Sequence, residues 1–134
     1  MTDGGSFRGY AIVDWNGDGY LDIISRDLQS QANYYQSNCG RERSLMVSLK
    51  QSAPNKTAIG SRIWVTDNDG VRRFRDISAG STNNSSSSPP VAHFGLGSHE
   101  QVYLQVRWPD GTNEDFGMVE TGQWIQILRK DTLR

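Results

Sequence analysis

The densest chemistry in the chain lies in nine residues, Asp14-Trp15-Asn16-Gly17-Asp18-Gly19-Tyr20-Leu21-Asp22. Oxygen-bearing side chains fall at the first, third, fifth and ninth positions, from Asp14, Asn16, Asp18 and Asp22. Gly19 stands sixth, where such a loop must turn sharply, and Tyr20 stands seventh, where a backbone carbonyl is offered. A hard cation takes about six to eight oxygens, and loops that wrap Ca²⁺ present them at these positions. Three carboxylates held this close repel one another unless a cation neutralises them. The spacing therefore predicts a Ca²⁺ site made by Asp14, Asn16, Asp18, the Tyr20 carbonyl and Asp22. Mg²⁺ fits less well, because it demands a tight octahedron and keeps its waters. The competing reading is an Asx-rich turn without metal. Ser25 occupies the twelfth position, where a helix-flanked Ca²⁺ loop carries a bidentate Glu. The expected affinity is accordingly weak, on the order of 10⁻⁴–10⁻³ M.

The elements that must hold this loop read as strands. Tyr10-Ala11-Ile12-Val13 precedes it and Leu21-Asp22-Ile23-Ile24 closes it, so the loop should connect a hairpin, with Asp22 at the start of the second strand. Further along, Val102, Leu104, Val106 and Trp108 alternate with Tyr103, Gln105 and Arg107. Ile63 and Val65 alternate with Arg62, Trp64 and Thr66, and Ile125 and Ile127 with Trp124, Gln126 and Leu128. Successive strand residues face opposite sides, so each segment reads as a half-buried strand. Asp67-Asn68-Asp69-Gly70 and Pro109-Asp110-Gly111 separate such segments as hairpin tips. Val71–Ser78, Val91–Phe94 and Thr112–Gly117 are the remaining strand-like stretches, and Ala32–Tyr35 is read as a strand. No window supports a long amphipathic helix. The expected class is all-β: an antiparallel β-sandwich or barrel-like domain over 39–134, with about six strands, preceded by a Ca-loop β-hairpin over 1–38. Gly80–Pro90 is polar and low in complexity, and is expected to be a flexible surface loop.

Composition narrows the function classes. The 134 residues suit one domain, or one domain with a fragment of another. Hydrophobic residues at 35% and aromatics at 10% exclude a wholly disordered chain. No stretch approaches the ~18 apolar residues of a spanning helix. A formal net charge of −1 gives no basic field, so no nucleic-acid partner is expected. The one cysteine, Cys39, excludes an intrachain disulfide and is read as a spectator thiol. Met1–Gly5 has no basic region followed by an apolar run, so no secretory signal is expected there.

Phe7-Arg8-Gly9-Tyr10-Ala11-Ile12-Val13-Asp14, the acidic loop and Leu21-Asp22-Ile23-Ile24 together resemble an FG-GAP/VCBS-type repeat. Such repeats form blades of calcium-binding β-propellers, as in the integrin α-subunit head. The rest of the chain resembles the ASPIC/UnbV domain. The carrying residues are Ala58–Val65, Val71–Gly80, His93-Phe94-Gly95-Leu96-Gly97 and Val106-Arg107-Trp108-Pro109-Asp110-Gly111, in the family's order and spacing. The resemblance implies a propeller followed by a C-terminal β domain, as in cartilage acidic protein-like proteins, exported to the periplasm or outside the cell. It implies Asp14, Asn16, Asp18, Tyr20 and Asp22 as calcium ligands and offers no catalytic residues. One repeat stands here, where a propeller needs several blades.

The function expected from these features is a non-catalytic calcium-binding interaction or adhesion-type module, the C-terminal part of an exported repeat protein, with a protein or glycan partner. The rival is an accessory or catalytic domain of a biosynthetic pathway, which would need a pocket gathering His93 with Glu114 or Asp115. A third reading is carbohydrate binding on a shelf of Trp64, Trp108 and Trp124, against which stands the expectation that these rings fill the core. His93 is read as a core or strand-edge residue and His99 as solvated. Asp67-Asn68-Asp69-Gly70 is read as a bare turn, because Arg75 stands at its ninth position. Arg62, Arg72, Arg73, Arg75 and Arg107 are read as a solvated strand face. Asn55-Lys56-Thr57 and Asn84-Ser85-Ser86 match the glycosylation acceptor pattern.

Overall fold

Period-two alternation becomes ten strands and no α-helix in the computed structural model, which describes residues 7–27, 31–38, 42–80 and 88–130. The described residues fall into two compact units, one within 1–40 and 79–89, the other within 41–78 and 90–134. Cys39 and the Asn84 acceptor lie outside the described residues, as does most of the serine-rich loop.

The first unit is a three-stranded sheet. Strands β1 (Phe7–Val13) and β2 (Asp22–Asp27) pair antiparallel, and β3 (Asn33–Tyr35) adds to the far side of β2. The acidic loop is the connection between β1 and β2, and Asp22 is the first residue of the second strand, opposite Val13. The short stretch at 32–35 is a strand, as its composition suggested.

The second unit is a β-sandwich. Its strands are β4 (Arg43–Lys50), β5 (Arg62–Thr66), β6 (Arg72–Asp76), β7 (Val91–Gly97), β8 (Gln101–Arg107), β9 (Asn113–Glu120) and β10 (Gln123–Leu128). One sheet has the order β10-β4-β7 and the other β6-β5-β8-β9, and neither closes into a barrel. Leu45, Val47 and Leu49 of β4, Ala92, Phe94 and Leu96 of β7, and Ile127 of β10 form one face of the core. Ile63 and Val65 of β5 and Val102, Leu104 and Val106 of β8 form the other, with Trp108 closing one end. Alternation placed the β5, β8 and β10 residues correctly, because a pleated strand must turn every second side chain to the same side.

Two features differ from the sequence reading. The sandwich has seven strands where about six were expected, and the one not singled out is β4. Its Leu45-Met46-Val47 run is apolar three times over, which blurs the alternation. The β10-β4-β7 sheet is also mixed, since β10 runs parallel to β4. Local pattern reports which side chains are inward, and it carries no information on the direction of a neighbouring strand.

Both expected hairpin tips are present. Pro109-Asp110-Gly111 joins β8 to β9, with the Gly111 N–H donating to the Trp108 carbonyl at 2.9 Å and Gly111 in the left-handed region at φ 89°. Only glycine takes that conformation without strain. Asp110 is gripped from outside by Arg129, at 2.6 Å. That contact, helped by the Thr112 N–H, holds the Asp110 carboxyl down at about 2. Arg73 likewise lowers Asp67, and Arg62 lowers Asp76. Each is a carboxylate whose folded value is depressed, so its contribution is complete above the ordinary carboxylate range near pH ~4 and is lost as pH falls through the folded value. The sandwich should therefore hold a steady melting temperature down to about pH 4 and lose several degrees between about pH 4 and 2. Circular dichroism melts across that range check this, and Asp110→Asn should flatten part of the fall.

Candidate metal centre

Every carboxylate of the acidic loop is engaged with the loop's own backbone. The Asp14 side chain accepts the N–H of Gly17 at 2.8 Å, of Gly19 at 2.9 Å and of Asp18 at 3.2 Å. The Asp18 carboxylate accepts the Tyr20 N–H at 2.9 Å and the Asn16 side-chain amide at 2.7 Å. Gly17 and Gly19 both adopt positive φ, 75° and 89°, which curls these N–H groups inward around Asp14. The sharp turn expected at Gly19 is thus present.

Asp22 anchors the loop to the sheet. It is fully buried and accepts hydrogen bonds from the Ser37 N–H at 2.9 Å, the Tyr34 hydroxyl at 2.8 Å and the Trp15 N–H at 3.2 Å. The Ser37 amide is the chief cause holding the Asp22 carboxyl below its ordinary range, with Tyr34 and Trp15 adding to it against the opposing effect of burial. The Tyr34 phenol is pushed up to about 12 by desolvation and by donating to Asp22, with Asp18 and Asp14 contributing further negative potential. Tyr34 and Ser37 carry no motif signal; they reach Asp22 because β3 pairs with β2 and places Tyr34 opposite Ile24.

The other sequence candidates separate. Trp108 is 1% exposed, as a core residue should be, whereas Trp124 is 61% exposed. Trp64 is half-buried on the outer face of β5, under the guanidiniums of Arg72 at 5.0 Å and Arg62 at 5.8 Å. The core expectation therefore holds for Trp108 and fails for Trp64 and Trp124. Trp64 and Trp124 belong to outer faces of different sheets and make no common shelf. Four of the five arginines have partners: Arg62 pairs with Asp76 at 2.6 Å, Arg72 donates to Gln105 at 3.1 Å, Arg73 pairs with Asp67 and Arg75 donates to the Phe74 carbonyl at 3.0 Å. His93 alternates with the buried Ala92 and Phe94 and so points out of its sheet, while Glu114 and Asp115 lie on β9 of the other sheet.

His99 corrects the reading of a solvated turn residue. It is half-buried against the β5–β6 tip, with Nε2 3.6 Å from Asp67 Oδ2 and 3.6 Å from Asp69 Oδ2. The tip itself is the turn expected, with Asp67 accepting the N–H of Asp69 at 3.1 Å and of Val71 at 2.9 Å. Among the described residues, Asp67, Asp69 and His99 are the one set of three metal-ligating side chains with atoms all within 4.8 Å of one another. Asn55 of the first acceptor triplet uses its side-chain amide to close a turn with Ile59, at 2.8 and 3.0 Å.

A family profile described as "ASPIC and UnbV" matches residues 51–134. The chain belongs to the ASPIC/UnbV family. The match covers most of the sandwich, from the turn after β4 through β10. Cartilage acidic protein 1 of Homo sapiens is 30% identical over 138 aligned residues, covering 97% of this chain and 21% of that protein. Cartilage acidic protein 1 of Xenopus tropicalis is 31% identical over 110 residues, covering 80% of this chain and 17% of its own length. The ASPIC/UnbV chain described here thus spans about a fifth of the length of these relatives.

Proposed function

We propose that this ASPIC/UnbV chain is a non-catalytic, calcium-binding interaction module, part of a longer exported protein. The observation that carries the reading is the acidic loop's place as a β-hairpin connection, with three carboxylates and one amide oxygen on a turn of left-handed glycines. The donor set fits Ca²⁺: Asp14, Asn16, Asp18, the Tyr20 carbonyl and Asp22 are all hard oxygens. The ion would act structurally, neutralising the carboxylates and fixing the hairpin. The same strand–loop–strand arrangement supports an FG-GAP/VCBS-type repeat. Export is supported by the relatives, which are named for cartilage, a tissue rich in extracellular matrix. An interaction role is supported by the outer face of the β6-β5-β8-β9 sheet, where Phe74, Tyr103 and Met118 are exposed.

Calorimetric titration of the purified chain with Ca²⁺ tests this. Heat and a rise in melting temperature are expected at millimolar metal, and Asp18→Ala should abolish both. A wild-type chain that gives neither heat nor a thermal shift at millimolar Ca²⁺ rules the calcium reading out.

A further inference from the structure

We propose that Asp67, Asp69 and His99 form a second metal site, distinct in chemistry from the acidic loop, that takes a borderline transition metal of the Zn²⁺ class. Two turns build it. Asp67 and Asp69 come from the β5–β6 tip, and His99 from the β7–β8 turn, thirty-two positions beyond Asp67. The imidazole sets this group apart from an acidic turn, because Ca²⁺ and Mg²⁺ select oxygens while Zn²⁺ takes imidazole and carboxylate together.

The geometry has room for a shared ion. His99 Nε2 stands 3.6 Å from one oxygen of each carboxylate. That is too long for a hydrogen bond to either. Ligand atoms bound to one zinc at about 2.0–2.2 Å, with angles of about 109–120°, stand roughly 3.3–3.8 Å apart. The nitrogen-to-oxygen spacings already have that size. Asp67 is held in place for the role: its side chain is 1% exposed, and Oδ1 accepts two backbone N–H groups. Arg73 takes one lone pair of Oδ2, which leaves another for a metal. Asp69, 76% exposed, is free to swing the short distance needed to close the set.

The site has an open side. Asp69 is 76% exposed, and His99 also lines a depression of about 350 Å³ with Glu42, Arg73, Leu96, Gly97 and Ser98. Three protein ligands with room beside them describe an open zinc site, in which water completes the shell. Arg73 cancels one of the two carboxylate charges, so the affinity falls below that of closed structural zinc sites.

Zn²⁺ titration of the full chain by calorimetry, with Co²⁺ absorption as a second readout, tests the proposal. One equivalent should bind, and millimolar Ca²⁺ should not displace it. His99→Ala and Asp69→Asn should each weaken Zn²⁺ binding at least tenfold, while Asp18→Ala leaves it unchanged. Asp69 is exposed, so that variant keeps the fold and separates lost ligation from lost structure. Wild-type affinity in both His99→Ala and Asp69→Asn overturns the site, as does binding that disappears with Cys39→Ser or His93→Ala in their place. Absence of Zn²⁺ binding by the wild-type chain overturns it as well.

Discussion

Trp108→Ala is expected to cost the sandwich about 3–5 kcal/mol. The ring is 1% exposed and belongs to the core built by β4, β5, β7, β8 and β10. Removing it leaves a cavity that neighbouring strands cannot fill, because the Trp108 N–H to Thr112 carbonyl bond at 2.8 Å and the Arg129–Asp110 pair hold the hairpin at that end. Its indole Nε1 is buried with no hydrogen-bond partner among the described residues. Trp108→Phe should therefore cost clearly less than the loss of ring volume alone suggests, since it also removes an unsatisfied donor. Urea unfolding followed by circular dichroism measures both. Equal losses for Ala and Phe would show that the orphan N–H and the cavity are not what sets the cost.

Asp22→Ala should open the first unit and, with it, remove the calcium response proposed above. Several donors converge on this one buried carboxylate, and two of them, the Tyr34 hydroxyl and the Ser37 N–H, come from or just beyond β3. Without the acceptor those groups must find water, which a small three-stranded sheet cannot allow without opening. Amide hydrogen exchange at Trp15 and Ser37 should speed up roughly tenfold or more, while exchange at Val47, Val65 and Leu104 stays as in the wild type. Asp22→Asn keeps one carbonyl acceptor and should fall between the two. Unchanged exchange at Ser37 in Asp22→Ala would mean that the carboxylate does not anchor the loop.

The acidic loop's place between β1 and β2 was legible because turn chemistry is local: Asp and Asn side chains bond the nearby backbone, and glycines at fixed positions turn the chain between two strand-like runs. Its anchoring was not legible. Nothing in Tyr34 or Ser37 as residues announces that they meet Asp22; strand pairing brings them there. The same limit explains His99. Read along the chain it sits in a polar turn, and only the packing of two turns in the second unit sets it beside Asp67 and Asp69. The tryptophans show the converse. Trp64, Trp108 and Trp124 are alike in type, yet alternation assigns Trp64 to the face opposite Ile63 and Val65, and Trp124 to the face opposite Ile125 and Ile127. A reading by residue type expected all three in the core, whereas a reading by register would have kept only Trp108.

Side-chain spacing by itself determined the β class, most of the core, both hairpin tips and the position of the acidic loop, because a pleated strand and a tight turn each impose their rule within a few residues. Tertiary structure alone decided the parallel pairing of β10 with β4, the burial of Asp22 under Tyr34 and Ser37, and the meeting of His99 with two aspartates. Those depend on which distant segments become neighbours. That choice is made by the free energy of the assembled core, and no short stretch of the chain carries it.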